Sequence, residues 1–439
     1  MSSEIDSQFL DVSPSGDYLN KSNGIVFTVS APGKVIIHGE HSVVYGKLAL
    51  AASLGLRTSV TLRESLNLDT SAVELHFPDI NLHYSFICKE IQNLLDKPLP
   101  TTMGTTSFNL EFPQRIDHDL HLKNIEGFLS ETGSYQNLNK VQKNALASFL
   151  YLLIGMYSSV NVKLRPFHLS VSSQLTLGAG TGSSASFTVG LVASLLHFLK
   201  LMVKENDVAD NLSKAAYLPT KLTIGSSSGV FSPEELQIIS DWGFCGEKIH
   251  HGNPSGIDNA ICTYGSFVVF RKGTDLEKKR ITYPLRLLLI NTKVSRDTKS
   301  FVMKAADFIK KYPAIGNHIL EAMEEISKTA LECLQNISEL VDDRTKETFE
   351  KLGELSEINH GLLSILGVSH VTLEDIIRIL KDYGLKGKLT GAGGGGYAIC
   401  LLPPQLRDSD LDDAIANLEN CGYDAKVTVL GDSGVRVDS

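Results

Sequence analysis

The chain has 439 residues, of which 42% are hydrophobic and 21% are charged, and its formal net charge is −9. This length and composition are typical of a globular protein of roughly two or three domains rather than of a disordered chain. The acidic balance argues against nucleic acid or an anionic membrane as the main partner, because either would require a clustered basic surface.

The cysteines and the chain start indicate a cytoplasmic protein. The 6 cysteines are scattered without a Cys-x-x-Cys pair, which favours reduced thiols over disulfides or a zinc site. Residues 1–23 are polar, so we expect a disordered leader and neither a signal peptide nor a transit peptide. Phe187–Met202 is apolar but short and contains Gly190, Ser194 and His197, so we expect a buried helix rather than a membrane span.

The first motif lies between two short strands. Ile25–Val29 and Val35–Ile37 are strand-like, and the Pro-Gly pair of Ala31-Pro32-Gly33-Lys34 predicts a hairpin or a bent strand with Lys34 at its corner. The next segment, His38-Gly39-Glu40-His41, lacks the His-Glu-x-x-His zinc spacing. Taken alone, it would be a solvated loop.

The following region predicts part of a sheet and its cover. Leu56–Leu62 and Val73–Phe77 alternate between apolar and polar residues, which predicts two strands with one wet face. The pattern weakens over Tyr84–Asn144, where we expect helices and loops that cap the sheet. Ala145–Tyr157 is apolar nearly all round and predicts a buried helix.

A glycine-rich turn joins a strand to a helix at the centre of the sequence. Phe167–Leu175 has the period of a half-buried strand, Phe187–Met202 is competent to form a helix, and Gly178–Ser186 between them reads Gly-Ala-Gly-Thr-Gly-Ser-Ser-Ala-Ser. Ser183 and Ser184 would start the helix and direct its unpaired N–H groups at an anion. The segment is neither a Walker A loop nor a dinucleotide fingerprint, and on its own a plain glycine-rich connection explains it equally well.

A second helix is expected to carry a carboxylate towards a turn. Ser232-Pro233-Glu234-Glu235 is a capping box with proline at the first helical position, so a helix should run to about His250 with Glu247 near its end. The turn Gly252–Gly256 leaves Asp258 just beyond it, so the two carboxylates should lie close together. Glu247 could equally be a solvated carboxylate at a helix end.

The second half of the chain predicts a separate α+β domain. The polar and basic link Arg271–Tyr283 is our domain boundary. The helices and strands around the second glycine loop, Gly391–Gly396, suggest a split βαβ, ferredoxin-like arrangement. The expected strands are Ser266–Phe270, Leu285–Ile290, Lys388–Thr390, Tyr397–Leu402 and Ala425–Leu430, and the expected helices are Asp297–Lys310, Ile315–Leu334, Thr345–Leu366, Leu373–Tyr383 and Leu411–Asn420.

Four of these motifs occur together and in order, and together they resemble the GHMP kinase family. They are Ala31–Lys34, the Gly-Ser-Ser-Ala loop ending at Ala185, His251–Asn259 and Lys388–Gly395. The resemblance covers about residues 24–432. The runs 34–41, 249–256 and 291–294 are most similar to the members of the family that act on mevalonate.

This resemblance implies a fold and a reaction. The fold would be α/β (α+β), with an N-terminal ATP-binding α/β domain over 24–275 that contains a left-handed βαβ crossover. A C-terminal ferredoxin-like domain would cover 284–432, with the site between the two. The reaction would transfer the γ-phosphoryl group of ATP to the primary hydroxyl of mevalonate. The resemblance also implies a homodimer, and inhibition by isoprenoid diphosphates that compete with ATP.

The same resemblance assigns roles to residues, and phosphoryl transfer asks a protein for such positioning and charge neutralisation. Asp258 would be the base for the hydroxyl and Lys34 its partner. Ser184 and Glu247 would be ligands of Mg²⁺. The nucleotide phosphates would lie on Gly178, Ala179, Gly180, Thr181, Gly182, Ser183 and Ser184, and mevalonate would contact Lys34, Glu40, His41, Asp258, Gly391 and Ala392.

Alternatives and departures accompany these assignments. Lys34 and Asp258 could form only a structural ion pair, and the chain could be another GHMP enzyme or a catalytically silent ligand sensor. Thr176-Leu177 stand where the family has prolines, and Thr181 stands where it has leucine. Ser295 replaces a common proline and Tyr397 a common cysteine.

Overall fold

The computed structural model places most of the chain from residue 24 onward, and the expected leader lies outside the described residues. Side chains of 203–209 are also left undescribed. The described residues are 24–66, 71–102, 109–132, 134–160, 162–209, 229–252, 254–273, 276–279, 281, 283–295, 297–337 and 343–438.

The strands join into one 12-stranded sheet with the order β4-β3-β5-β2-β11-β8-β10-β9, and β1 and β6 also pair with β2. The smaller strands β12 and β7 pair with β1 and β6. The strands are β1 Val26–His38, β2 Ala49–Glu64, β3 Ala72–Phe77, β4 Leu82–Ile87, β5 Phe167–Ser173, β6 Phe267–Phe270, β7 Glu277–Lys279, β8 Leu285–Asn291, β9 Gly387–Thr390, β10 Tyr397–Leu401, β11 Asp424–Leu430 and β12 Arg436–Val437.

Helices cover the sheet, and their bounds agree with most of the predicted ones. The capping box of Ser232 and Glu235 is formed, and Asp297 caps the helix that follows it. The helices are α1 Cys88–Leu95, α2 His118–Glu131, α3 Lys140–Ser158, α4 Ser183–Ala209, α5 Pro233–His251, α6 Ile257–Tyr264, α7 Thr298–Lys311, α8 Pro313–Gln335, α9 Asp343–Ile365, α10 Val371–Asp382 and α11 Asp408–Asn420.

The first motif forms a bent strand, one of the two forms predicted for it. Strand β1 runs through the Pro-Gly pair, and its register with β2 shifts between Pro32 and Lys34. The backbone passes close to its neighbours there, since a Cβ on Gly33 would lie 2.5 Å from Leu175 Cδ2. The bend places Lys34, whose side chain is nearly buried, at the corner of the strand.

The C-terminal strands have the order β11-β8-β10-β9, and all their pairings are antiparallel. Numbered by their own sequence order, these strands read four-one-three-two, which is the order of a ferredoxin-like sheet. The helices α7–α10 follow the first of these strands, and α11 precedes the last. The predicted ferredoxin-like domain is therefore confirmed.

One sequence expectation was wrong, and three elements among the described residues were not predicted. The region from Tyr84 was expected to hold only helices and loops, but Leu82–Ile87 is strand β4, antiparallel to β3. Its alternation of buried and exposed residues is strict, so the signal was present in a segment of only 6 residues. Helix α6 and the short strands β7 and β12 were not predicted either.

The apolar run after the glycine loop is a core helix. Ser183–Met202 is long and apolar enough to cross a membrane, but 78% of its most apolar window is buried inside the protein. The helix shares a hydrophobic core with α3 and α5, where Trp242 is fully buried and donates its indole N–H to the Leu110 carbonyl at 2.8 Å. The predicted buried helix is confirmed, and its N-terminal residues Ser183 and Ser184 line the cavity described next.

Candidate active site

The glycine loop adopts a backbone that requires glycine. Gly178, Gly180 and Gly182 have φ values of 70°, 91° and 72°, a backbone region that residues other than glycine rarely adopt. A Cβ on Gly182 would also lie 2.8 Å from Lys34 Cγ. Helix α4 begins at Ser183, so its first N–H groups, which have no partners within the helix, lie at the end of this loop. The arrangement can bind an anion.

The loop is fixed to the bent strand, and the bent strand reaches the predicted base. Lys34 N–H donates to the Thr181 carbonyl at 2.8 Å. The Lys34 ammonium lies 3.2 Å from Asp258 Oδ1, and the side chains are 8% and 40% exposed. Asp258 is in the first turn of α6, where a negative charge is favoured by the helix dipole. A buried ammonium thus holds a carboxylate that remains accessible.

A second carboxylate lies near the start of α4. Glu247 Oε2 accepts from Ser184 Oγ at 3.3 Å, and Glu247 Oε1 accepts from Thr188 Oγ1 at 3.3 Å. Its burial, reinforced by the charge of Asp258, raises the pKa of Glu247 to about 7. His251 Nε2 lies 3.0 Å from Ser184 Oγ. The site therefore concentrates negative charge that one lysine does not neutralise.

This charge excess fits a divalent cation. Asp258 is paired with the Lys34 ammonium, whereas Glu247 has the Ser184 hydroxyl beside it, so Glu247 and Ser184 offer a hard carboxylate oxygen and a hydroxyl oxygen to a cation. Among the described residues, no group of three or more His, Cys, Asp or Glu could hold a metal on its own. A cation here would complete its coordination with phosphate oxygens and water, as Mg²⁺ does with nucleotides.

Two residues predicted to contact mevalonate, Glu40 and His41, contact the C-terminal sheet and the second glycine loop. Glu40 is buried, pairs with the Lys388 ammonium and accepts from Asn359 Nδ2 at 3.1 Å. His41 Nε2 donates to the Ala392 carbonyl at 3.0 Å. Two adjacent residues of the N-terminal motif are thus bonded to the C-terminal sheet and its glycine loop.

One cavity of about 640 Å³ collects most of the predicted residues. Ala179 and Thr181 do not line it, because they are buried in the loop. The predicted residues that line it are Lys34, Glu40, His41, Gly178, Gly180, Gly182, Ser183, Ser184, Glu247, Asp258, Gly391 and Ala392.

Comparison with known proteins identifies the family. Residues 144–231 match the model for the GHMP kinases N terminal domain, and residues 337–424 match that for GHMP kinases C terminal. Mevalonate kinase of Bos taurus is 35% identical over 412 residues, which cover 94% of this chain and 95% of the relative. The chain belongs to the mevalonate kinase family. Mevalonate kinase of Candida albicans is 36% identical, with 94% of this chain and 89% of the relative covered.

Solved structures of the mevalonate kinase family share the fold. The mevalonate kinase of Methanococcus jannaschii aligns with a TM-score of 0.63 at 19% identity, covering 95% of this chain and 100% of that one. The L. major mevalonate kinase in complex with R-mevalonate aligns with a TM-score of 0.58 at 21% identity, covering 93% and 96%. The predicted GHMP kinase fold is therefore confirmed.

The sequence analysis of this mevalonate kinase family member assigned no role to four residues that hydrogen-bond to site residues. Thr188 is one turn along α4 from Ser184, and His251 is one turn along α5 from Glu247, so helical spacing could have found both. Lys388 and Asn359 are 348 and 319 residues from Glu40, and no local pattern relates them to it.

Proposed function

We propose that this protein is an ATP-dependent kinase that phosphorylates the primary hydroxyl of mevalonate to give 5-phosphomevalonate, a step of isoprenoid and sterol precursor synthesis. The observation that carries the proposal is the cavity, where the Lys34–Asp258 pair lies beside Ser184 and Glu247 at the start of α4. The close relatives at 35% and 36% identity, each named mevalonate kinase, support the same reaction.

Asp258 is proposed as the base and Lys34 as its positioning and charge partner. The Asp258 carboxylate is the more accessible of the two groups, so a hydroxyl in the cavity can reach it. The Lys34 ammonium is held by a nearly buried side chain at the bend of β1. Its charge favours ionisation of a hydroxyl bound between the two groups, and Asp258 accepts the proton as the oxygen attacks the γ-phosphoryl group.

The nucleotide phosphates are proposed to lie on the glycine loop. Gly178–Ser184 supplies backbone N–H groups and the positive end of α4, which favour a polyphosphate. An ATP-dependent kinase requires a divalent cation, and we propose Mg²⁺ held by Ser184 and Glu247. The cation would neutralise charge on the transferring phosphoryl group. Gly391 and Ala392 would cover the phosphate and mevalonate from the C-terminal side.

A coupled assay of ADP release tests the function. We expect turnover with mevalonate and none above background with phosphomevalonate, galactose or homoserine. Preference for one of the other three would assign the chain to another GHMP activity. Absence of turnover with all four, in protein that still binds ATP, would favour a catalytically silent ligand sensor.

Glu247→Gln tests the metal assignment. The variant should require a higher Mg²⁺ concentration for half-maximal activity, because one charged oxygen ligand becomes neutral, and added Mg²⁺ should restore part of the rate. The measurement is the Mg²⁺ dependence at fixed ATP. Glu321→Gln on the exposed face of α8 is the matched control. An unchanged Mg²⁺ dependence in Glu247→Gln would remove Glu247 from the metal site.

We also propose that isoprenoid diphosphates inhibit the enzyme in competition with ATP. A loop that binds the phosphates of a nucleotide can accept another diphosphate, and apolar side chains next to the loop can contact an isoprenoid tail. The apolar side chains that line the cavity are Phe77, Ile80, Val141, Val171, Leu177 and Phe187. Farnesyl diphosphate should raise the KM for ATP, and inhibition that ATP does not relieve would contradict this.

Three further proposals concern organisation. We propose an N-terminal domain over 24–275 and a C-terminal domain over 284–432. Each side of the link has a large buried cluster of its own, and a third cluster between them contains residues of both sides. We propose a cytoplasmic location, supported by cysteines that form no disulfide among the described residues. We propose a homodimer on the family resemblance, and sedimentation of the purified protein tests it.

A further inference from the structure

The entry to the first glycine loop is held by contacts with the N-terminal strands. Gln174 N–H donates to the Arg57 carbonyl at 3.0 Å, and Gln174 Oε1 accepts from Arg57 N–H at 3.0 Å. Leu175 is buried against Gly33 on the bent strand β1. The backbone of the loop entry at Gln174 is therefore hydrogen-bonded to the N-terminal strand β2.

The next residue is held from the other half of the protein. Thr176 Oγ1 accepts from the Tyr397 hydroxyl at 2.8 Å and from Asn291 Nδ2 at 3.4 Å. Tyr397 and Asn291 are directly opposite each other on β10 and β8. Tyr397 is 6% exposed, so its hydroxyl is directed at Thr176 by a well-packed ring. Thr176 thus connects the loop entry to the C-terminal sheet by hydrogen bonds, next to the buried cluster that contains Leu175 and Tyr397.

Tyr397 also directly follows the second glycine loop. The carbonyl of Gly396 accepts from Thr292 N–H at 2.9 Å and from Thr292 Oγ1 at 2.9 Å, and Gly396 N–H donates to the Val294 carbonyl at 3.2 Å. The end of this loop is thereby fixed to the same strands that position the tyrosine. The hydrogen bond from Tyr397 to Thr176 therefore links the end of the second glycine loop to the entry of the first.

We propose that Thr176 and Tyr397 are positioning residues that hold the two glycine loops at a fixed separation for the phosphates of ATP. Both are departures from the GHMP pattern, and they are each other's partners, so the hydroxyl pair is a feature of this chain. Neither side chain lines the cavity, so each acts through the loop beside it. The inference rests on the proposed function, since the cavity must bind ATP.

A double-mutant cycle on the full-length enzyme tests the pair. Thr176→Val and Tyr397→Phe each remove one hydroxyl, and each should lower kcat/KM for ATP by about 3- to 10-fold, the range of one lost neutral hydrogen bond at a site where position matters. The double variant should lose about as much as the more impaired single variant. Both changes remove the same Thr176–Tyr397 hydrogen bond, and Thr176→Val also removes the longer one from Asn291 Nδ2 at 3.4 Å. The KM for mevalonate should change less than about twofold, since the bond is beside the nucleotide loop.

Two control variants separate positioning from stability. Thr176→Ser keeps the hydroxyl and should retain wild-type kinetics. Tyr423→Phe removes a hydroxyl bonded to Asp375 Oδ2 at 2.9 Å in the C-terminal domain, and it should leave the KM for ATP unchanged. Additive losses in the cycle, or a lowered melting temperature with unchanged kcat/KM, would overturn the inference. Wild-type protein that does not turn over mevalonate would instead refute the proposed function.

Discussion

Asp258→Asn should lower kcat by about 10²- to 10⁴-fold, the range typical of a lost general base. The fold and the KM for ATP should be nearly unchanged, because the amide keeps the shape of the side chain. The measurement is steady-state kinetics for both substrates together with the melting temperature. A kcat loss below about tenfold would remove Asp258 from the catalytic residues.

Lys34→Met, measured alongside, distinguishes the roles that Asp258 could have. If Asp258 only anchors mevalonate, Asp258→Asn raises the KM for mevalonate and changes kcat little. If the pair is only structural, either variant lowers the melting temperature, because the remaining charge loses its partner at 3.2 Å. Loss of kcat in both variants with little change in melting temperature supports the catalytic assignment.

Lys388→Met should destabilise the protein by about 3–5 kcal/mol, the cost of removing one partner of a buried ion pair. The Lys388 and Glu40 side chains are 1% and 0% exposed. Burial raises the pKa of Glu40 and lowers the pKa of Lys388, so each charge depends on the other for its presence in the interior. Without the ammonium, the one side-chain hydrogen bond that Glu40 keeps among the described residues is the one from Asn359 Nδ2.

The loss of unfolding free energy in Lys388→Met should also depend on pH. A carboxyl whose pKa is raised by folding contributes stability below its unfolded pKa, and that contribution is lost as the pH rises through the folded pKa. Removing Lys388 removes the cation that counteracts this rise, so the loss of unfolding free energy should be larger at pH 8 than at pH 5. Urea denaturation at the two pH values measures it.

Matched variants complete this experiment. Lys346→Met removes an ammonium 3.0 Å from Asp343 on an exposed helix face, and it should cost at most about 1 kcal/mol. Lys388→Met combined with Glu40→Gln should recover part of the loss, because no unpaired charge remains. A loss in Lys388→Met as small as in Lys346→Met would show that the buried pair contributes little.

The sequence predicted those parts of the site that depend on local chemistry. The glycines of the first loop occupy a left-handed backbone, the capping box starts α5, and Glu247 lies one turn before its end. Each of these follows from residues within a few positions of one another. The bend at Lys34 was predicted for the same reason, since the Pro-Gly pair acts on its own strand.

The sequence did not predict features that depend on contacts between distant segments. Glu40 was expected in a solvated loop unless the family resemblance applied, yet it is buried against Lys388 and Asn359. Tyr397 and Thr176 stood out only as departures, and their hydrogen bond joins residues 221 positions apart. Local periodicity carries no information on such pairs, because it reports which face of an element is buried and not what covers it.

The long strand β2 makes the two halves of this enzyme difficult to separate. It pairs with β1, β5 and β6 on the N-terminal side and with β11 on the C-terminal side. Arg57 on this strand donates to the carbonyls of Ser433 and Gly434, at 2.9 Å and 2.6 Å, near the other end of the chain. A fragment ending at the link would expose β2 at Leu54, where it pairs with Leu430 of β11, and would leave a buried guanidinium short of acceptors. Co-expressed halves would therefore have to assemble by fragment complementation, with the C-terminal piece completing the sheet of the N-terminal one.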